Sequence, residues 1–252
     1  MNRPTISVAI ATYNGAAHVR EQLTSILAQL GPRDEVVVVD DASTDDTVAV
    51  VQGLGDPRVR VTARDHNLGY VRTFAEAMAL TAGDVVMLSD QDDVWVEGRV
   101  ERLLAGLEHT EVVASDVVLL GDDAPLLSPF RRRPWRLAPS TSGQTRRNGL
   151  RMLAGLMPYY GCAMAVRRSA LDLVLPLPPW LHESHDLWIA TVGNVAGQMT
   201  HVGGPTVRRR IHEANASSSR PRGVRAALGS RWLQVKMWRE ARRRARARGR
   251  GA

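Results

Sequence analysis

The chain has very little cysteine and almost no lysine. Cys162 is its single cysteine in 252 residues. An internal disulfide and a cysteine-based zinc cluster are therefore excluded, and a reducing cytoplasm is the expected setting. Lysine occurs once, at Lys236, among 33 basic residues. Such an arginine bias fits a GC-rich genome, so no arginine earns a role by type alone. There is no run of eighteen apolar residues, and no membrane span is expected. Met1-Asn2-Arg3-Pro4-Thr5 moves straight into a strand pattern, without the apolar core and cleavage site of a signal peptide. Cytoplasmic placement is the expectation, with the inner face of the cell membrane as the one alternative address.

What remains is an ordinary globular composition, 44% apolar and 23% charged, long enough for one sizeable core with a tail. The net charge of +7 hides an asymmetry. Residues 1–200 carry 18 basic and 24 acidic side chains, a net −6, and residues 201–252 carry 15 and 2, a net +13. The expected organisation is a catalytic unit over 1–216 and a basic, partly helical extension over 217–252.

Short β-branched runs alternate with helical spacing. Residues 6–11, 35–40, 58–62, 84–89 and 112–115 read as strands; 16–30, about 47–52, 71–81, 96–107, 148–156 and 169–173 read as helices. The run Glu35-Val36-Val37-Val38-Val39-Asp40 suits a strand covered on both faces. This alternation predicts an α/β domain with a mostly parallel central sheet flanked by helices. Ligands of such sheets sit beyond the carboxyl ends of the strands. Thr12-Tyr13-Asn14, Asp40-Asp41 and Asp90-Gln91-Asp92-Asp93 all follow strands, so they are expected to converge on one crevice. Residues 120–148, rich in Pro, Ser and Arg, read as a long loop or flap.

The acidic run carries the chemistry. Closely packed carboxylates repel one another, and a divalent cation with a substrate phosphate relieves the repulsion. A solvated acidic turn is the plain alternative.

Taken in order, these segments resemble a family 2 glycosyltransferase with the GT-A fold over about residues 5–216. Ala11-Thr12-Tyr13-Asn14 is similar to the family's strand-end motif beside the nucleotide base. Val39-Asp40-Asp41-Ala42-Ser43-Thr44-Asp45 is close to Val-Asp-Asp-Gly-Ser-Thr-Asp, with Ala42 replacing glycine. His66-Asn67-Leu68-Gly69 with Arg72 resembles its Asn-X-Gly segment, and Asp90-Gln91-Asp92 its metal motif. Gly161 to Arg168 looks like the sugar-side strand, and His185-Asp186-Leu187-Trp188 stands where the family has Glu-Asp-X-X-Trp. Arg210-Ile211-His212-Glu213-Ala214-Asn215 resembles the Tyr-Arg-X-His-X-X-Asn ending, with Arg209 at the tyrosine. The Asp-Gln-Asp-Asp-Val-Trp, His-Asp and Arg-X-His-X-X-Asn forms are most like rhamnosyltransferase-like members.

The resemblance implies an inverting transfer from a dTDP-, UDP- or GDP-sugar to a glycan or lipid-linked acceptor, in cell-surface polysaccharide synthesis, with Mg²⁺ or Mn²⁺. It implies Asp186 as catalytic base, and Asp92 and His212 as metal ligands. Ala11, Thr12, Tyr13, Asn14, Asp41, Asn67, Arg72, Asp90 and Gln91 would hold the nucleotide sugar. Gly161, His185, Trp188 and Arg210 would lie on the acceptor or sugar side. Each has a plain counterpart: Asp186 as a helix cap, Tyr13 and Trp188 as core aromatics, Arg72 as a solvated arginine. A sugar-phosphate nucleotidyltransferase is the competing enzyme class. It needs a Gly-rich loop after the first strand, where this chain has Thr12-Tyr13-Asn14-Gly15.

In the tail, Leu228, Trp232, Val235 and Trp238 recur at roughly helical spacing among arginines. Three states stay open: a helix making peripheral membrane contact, a helix packed on the domain, and a nucleic-acid arm. The acidic remainder of the chain argues against nucleic acid, and none is expected as a partner.

Overall fold

The computed structural model describes residues 3–128, 133–211 and 224–251. Ile6–Thr12 (β1) forms the centre of the sheet's first half. Glu35–Asp40 (β2) and Val85–Ser89 (β4) flank it, and Val59–Ala63 (β3) lies outside β2, all parallel. Val36 to Val39 are buried, as a strand covered on both faces requires. The crossovers are Val19–Leu27 (α1), Thr47–Gln52 (α2) and Tyr70–Ala79 (α3). Here the elements follow the spacing read from the chain, with α1 shorter than expected by three residues at each end.

The second half changes direction. It contains Val94–Trp95 (β5), Arg99–Gly106 (α4), Val112–Leu119 (β6), Thr145–Leu153 (α5), Met164–Arg167 (β7), Leu171–Val174 (α6), His185–Val195 (α7), Met199–Arg209 (β8) and Val224–Gly251 (α8). The eight strands run in the order β3-β2-β1-β4-β7-β6-β8-β5. β7 lies antiparallel to β4 and β6, and β5 antiparallel to β8. The result is a mixed, mostly parallel sheet flanked by helices, the fold class expected. Strand β8 escapes sequence patterning because Gly203-Gly204-Pro205 interrupts it. The sheet accommodates that interruption with register shifts around Asp116. Most of the described part of the 120–148 loop is fastened down. Leu137 is buried and its N–H donates to Asp116 Oδ1 at 2.7 Å, while Trp135 N–H donates to Leu126 O at 2.7 Å.

Helix α8 packs on the domain. Met237 and Ala241 enter the main hydrophobic core beside α5, α6 and α7. Gln234 Nε2 donates to Thr191 Oγ1 at 2.8 Å. Arg244 donates to the carbonyls of Leu173, Val174 and Pro176, and Arg248 pairs with both oxygens of Glu111. Met237→Ala is expected to lower unfolding free energy by about 2–3 kcal/mol in a single cooperative denaturant transition, because it opens a cavity in that core. An unchanged midpoint would show that α8 is not part of the cooperative unit.

Candidate active site

The tips of β1 and β2 are tied together by their own polar residues. Thr12 Oγ1 donates to Asp40 Oδ2 at 2.7 Å, and Ser43 N–H donates to Asp40 Oδ1 at 2.8 Å. Asn14 bridges the same loops: its N–H donates to Ser43 Oγ, and its Oδ1 accepts from Thr44 N–H, both at 2.8 Å. Gln91 clips onto the backbone of Tyr13, accepting from its N–H at 2.8 Å and donating to its carbonyl at 3.0 Å. The Tyr13 ring stays 47% exposed, free to cover a planar ligand. Ala11 packs, partly buried, against the core below.

Asp41 is placed differently from the base contact expected of it. Its carboxylate is buried and accepts from Arg64 Nη1 (2.9 Å), Leu68 N–H (2.9 Å) and Gly69 N–H (2.8 Å). Asn67 Nδ2 donates to the Asp41 carbonyl at 3.2 Å. Both residues shape the 67–69 loop from within. Arg72 donates to the Pro179 carbonyl at 2.9 Å, which staples α3 to the stretch before α7.

The acidic run lies between β4 and β5. Oxygens of Asp90 and Asp93 and the sulfur of Cys162 come within 4.8 Å of one another. Burial, and the mutual repulsion of Asp90, Asp92 and Asp93, push the Asp90 and Asp93 carboxyls well above the usual range. Asp186 adds to the repulsion at Asp90. Asp93 Oδ1 accepts from Arg210 N–H at 3.0 Å; among the described residues its buried Oδ2 has no well-aligned partner, and the Cys162 thiol bears on the same carboxyl. Burial and the same carboxylates push the Cys162 thiol well up from its ordinary value.

Two arginines that sequence patterning did not single out supply counter-charge. Arg99 is fully buried beneath the cluster. It donates to Thr206 Oγ1 (2.8 Å) and to the carbonyls of Cys162 (2.7 Å) and Leu88 (3.1 Å), under the Trp95 ring at 4.4 Å. Burial lowers its pKa to about 10, which leaves it charged at neutral pH. Arg209, at the end of β8, lies over the Tyr160 ring at 5.2 Å, and its charge acts on Asp90, Asp93 and Asp186. Arg210, the residue assigned to the sugar side, instead turns to Glu21 (2.5 Å) and the Asp92 carbonyl (3.0 Å). β8 ends at Arg209, and Arg210, the first residue beyond the strand, turns toward α1.

Helix α7 brings His185 and Asp186 to the same place. The His185 ring is buried, stacked on Phe74 at 4.4 Å and edge-on to Tyr70 at 5.6 Å. Burial lowers its pKa to about 4, so it is neutral, and neither ring nitrogen has a partner among the described residues. The half-buried Asp186 carboxyl accepts from Leu187 N–H at 2.8 Å, and burial raises its pKa to about 6. Gly161 fits under this pair: a Cβ there would lie 2.9 Å from His185 Nε2. Trp188 does not face a sugar. It is fully buried, and its Nε1 donates to the Val174 carbonyl at 3.0 Å, because it lies a half-turn from Asp186 on the core side of α7. His212 lies outside the described residues.

This donor set fits a hard divalent cation through its two carboxylates, with the Cys162 sulfur as the one soft atom beside them; among the described residues, Asp93 Oδ2 is buried without a geometric hydrogen-bond partner. Asp90 and Asp93 converge most closely. Asp92, the ligand expected from the motif, adds its charge beside them.

The sheet is the GT-A fold, to which solved structures are similar. One is TarS of S. aureus in complex with UDP-GlcNAc, at a TM-score of 0.67 and 18% identity, over 92% of this chain and 66% of that one. Another is glucosyl-3-phosphoglycerate synthase of Mycobacterium tuberculosis in complex with Mn²⁺, UDP and phosphoglyceric acid. Its TM-score is 0.59 at 20% identity, over 94% of this chain and 78% of that one. The profile of glycosyl transferase family 2 matches residues 7–175, and the chain belongs to that family. A curated relative, the putative teichuronic acid biosynthesis glycosyltransferase TuaG of Bacillus subtilis, is 31% identical over 136 residues, 52% of this chain and 54% of the relative. The chain spans about half the length, or less, of the curated relatives it matches. Asp90 to Asp93 lie within the family match, and Asp186 and Arg209 beyond it.

Gly161→Ala is expected to cost about 1–3 kcal/mol of stability, since the new methyl displaces a packed ring. Thermal unfolding checks this. An unchanged melting temperature would show that the His185 ring yields freely.

Proposed function

We propose that the chain is a metal-dependent, inverting glycosyltransferase, with Asp186 as the base that activates the acceptor hydroxyl. The observation that carries this is the Asp186 carboxyl. It is half-buried at the start of α7, its pKa is raised to about 6, and the charge of Arg209 acts on it. A base poised near the working pH takes a hydroxyl proton most effectively. The acceptor oxygen then attacks the anomeric carbon as the bond from that carbon to the diphosphate oxygen breaks. The proton ends on Asp186 and the electron pair on the diphosphate.

A bound Mg²⁺ or Mn²⁺, held by Asp90 and Asp93 with Asp92 beside them, would supply Lewis-acid neutralisation of the diphosphate. Arg209 gives the leaving group a fixed positive charge from the β8 side. Arg99 keeps the crowded carboxylates tolerable from below. Tyr13 covers the base of a UDP-, dTDP- or GDP-sugar at the β1 tip. Asp41, Asn67, Asn14 and Thr12 hold the loops around it, and Ala11 and Gln91 fix the β1 tip from its two sides. His185 and Gly161 position Asp186. Resemblance of the His185-Asp186 and Asp-Gln-Asp-Asp-Val-Trp segments to rhamnosyltransferase-like members supports rhamnose as the sugar to test first. The name of the TuaG relative supports an acceptor in cell-surface polysaccharide synthesis, a glycan or its lipid-linked precursor, met in the cytoplasm. The Gly-rich loop of a nucleotidyltransferase is absent from the β1–α1 turn.

Purified protein with Mn²⁺ and a panel of nucleotide sugars tests the reaction by release of nucleoside diphosphate. Asp186→Asn is expected to lose about 10²–10⁴-fold in turnover while retaining nucleotide binding. Normal turnover would place the base elsewhere. Turnover of the unmodified protein is expected to fall as pH drops through about 6, because protonated Asp186 accepts nothing. A flat profile from pH 5 to 8 would contradict that role. Arg209→Gln is expected to lower turnover by about 10²-fold and also to lower the melting temperature, because it removes a counter-charge from the crowded carboxylates. Full activity would remove Arg209 from the account.

A further inference from the structure

Helix α8 is fixed to the domain by one face, and no described residue covers the other. At 100° per residue, Gln234, Met237, Ala241, Arg244 and Arg248 share the inward face, in agreement with their burial and bonding. The opposite face reads Leu228, Trp232 and Val235, then Arg239, Arg242, Arg246 and Arg250. Its first half is apolar and its second half cationic.

The apolar half is conspicuously bare. Leu228 is 65% exposed and Trp232 60%, and Leu150, 69% exposed on α5, stands beside them. These three, with Leu153, Ala154 and Val235, line one shallow hollow on the surface. Contiguous exposed apolar surface of this kind marks a docking region. The cationic half lacks neutralising acids, although Arg242 lies over the Trp238 ring at 4.0 Å and Arg239 over the Trp232 ring at 6.0 Å. Glu240 is the one acidic residue on α8, and Arg243 and Arg244 already take it. Arg239, Arg242, Arg246 and Arg250 have no carboxylate partner among the described residues, and with Arg243 they line a second hollow.

We propose that this face docks on an anionic lipid surface. Trp232, Leu228 and Leu150 would enter the boundary between headgroups and acyl chains, while the arginines meet headgroup phosphates. Charge complementarity and the apolar patch select this occupant together. A nucleic acid would use the arginines and leave the exposed tryptophan and leucines wet, and it would meet repulsion from residues 1–200, whose net charge is −6. A second copy would set one arginine row against another. The inward face keeps α8 rigid, so binding would orient the whole domain on the bilayer. None of these residues belongs to the candidate active site. The inference therefore goes beyond the proposed reaction and stands or falls separately from it.

Co-sedimentation of the full chain with phosphatidylcholine vesicles and with phosphatidylglycerol-rich vesicles tests it. Binding is expected to the anionic vesicles alone, weakening as salt rises. Trp232→Ser with Leu150→Ser, and separately Arg239→Gln with Arg242→Gln, Arg246→Gln and Arg250→Gln, are each expected to weaken it at least about tenfold. Circular dichroism and melting temperature should stay unchanged, because all six side chains point outward. Three results would overturn the proposal. One is no binding to anionic vesicles. A second is vesicle binding indifferent to the Trp232→Ser, Leu150→Ser change and matched by equally tight binding to duplex DNA. The third is self-association that Trp232→Ser abolishes, which would make a second copy the occupant.

Discussion

Four carboxylates crowd the end of β4 and the start of α7, and the rest of the site exists to make that crowding tolerable. Asp90, Asp92, Asp93 and Asp186 act on one another, in part out of water. Left alone they would take up protons, as the raised pKa values of Asp90, Asp93 and Asp186 record. Arg99 and Arg209 supply two fixed positive charges among them. With all four acids ionised, about two negative charges remain, which one divalent cation would balance. In the proposed reaction, that repulsion would be relieved by a cation and the diphosphate that travels with it.

The two halves of the sheet contribute different things. The parallel half supplies the loops after β1 and β2, locked together through Asp40, Asn14 and Ser43, and the acidic run after β4. The half with antiparallel pairings supplies Asp186 and Arg209. Strand β8 is the connecting piece. It pairs with β5 just after the acidic run, and the Arg210 N–H holds Asp93 while the neighbouring Arg209 turns to the cluster. Register errors along β8 would therefore disturb charge balance as well as packing.

Much of the first half was legible in the chain because its signals are local. β-branched runs, a Gly-Pro stop after α1 and polar or acidic residues at the strand ends suffice to place β1, β2 and β4. The substitution of Ala42 for the family's glycine also has a visible consequence, since its φ is +64° and the turn is kept against the preference of a Cβ. The second half was harder for physical reasons. β5 has only two residues, and β8 carries Gly-Gly-Pro, a pattern that normally breaks strands. Arg99 reads as an ordinary helical arginine, and only the fold shows that it is buried under the cluster. Arg209 and Arg210 are adjacent, and their division of labour depends on where β8 ends. Trp188 looked like a sugar platform because of its motif, yet helical spacing from Asp186 already assigned it to the core. Asp41 shows the limit of motif transfer: its position fits the family, while its bonds are spent inside the loop it organises.

Calorimetric titration of UDP, GDP and dTDP into the full chain, with Mn²⁺ and again after chelation, addresses the charge balance most directly. The account predicts that at least one nucleotide binds with Mn²⁺ and that its affinity collapses without it. Equal affinity under both conditions, or no binding at all, would contradict the claim that the crowded carboxylates await a cation and its diphosphate.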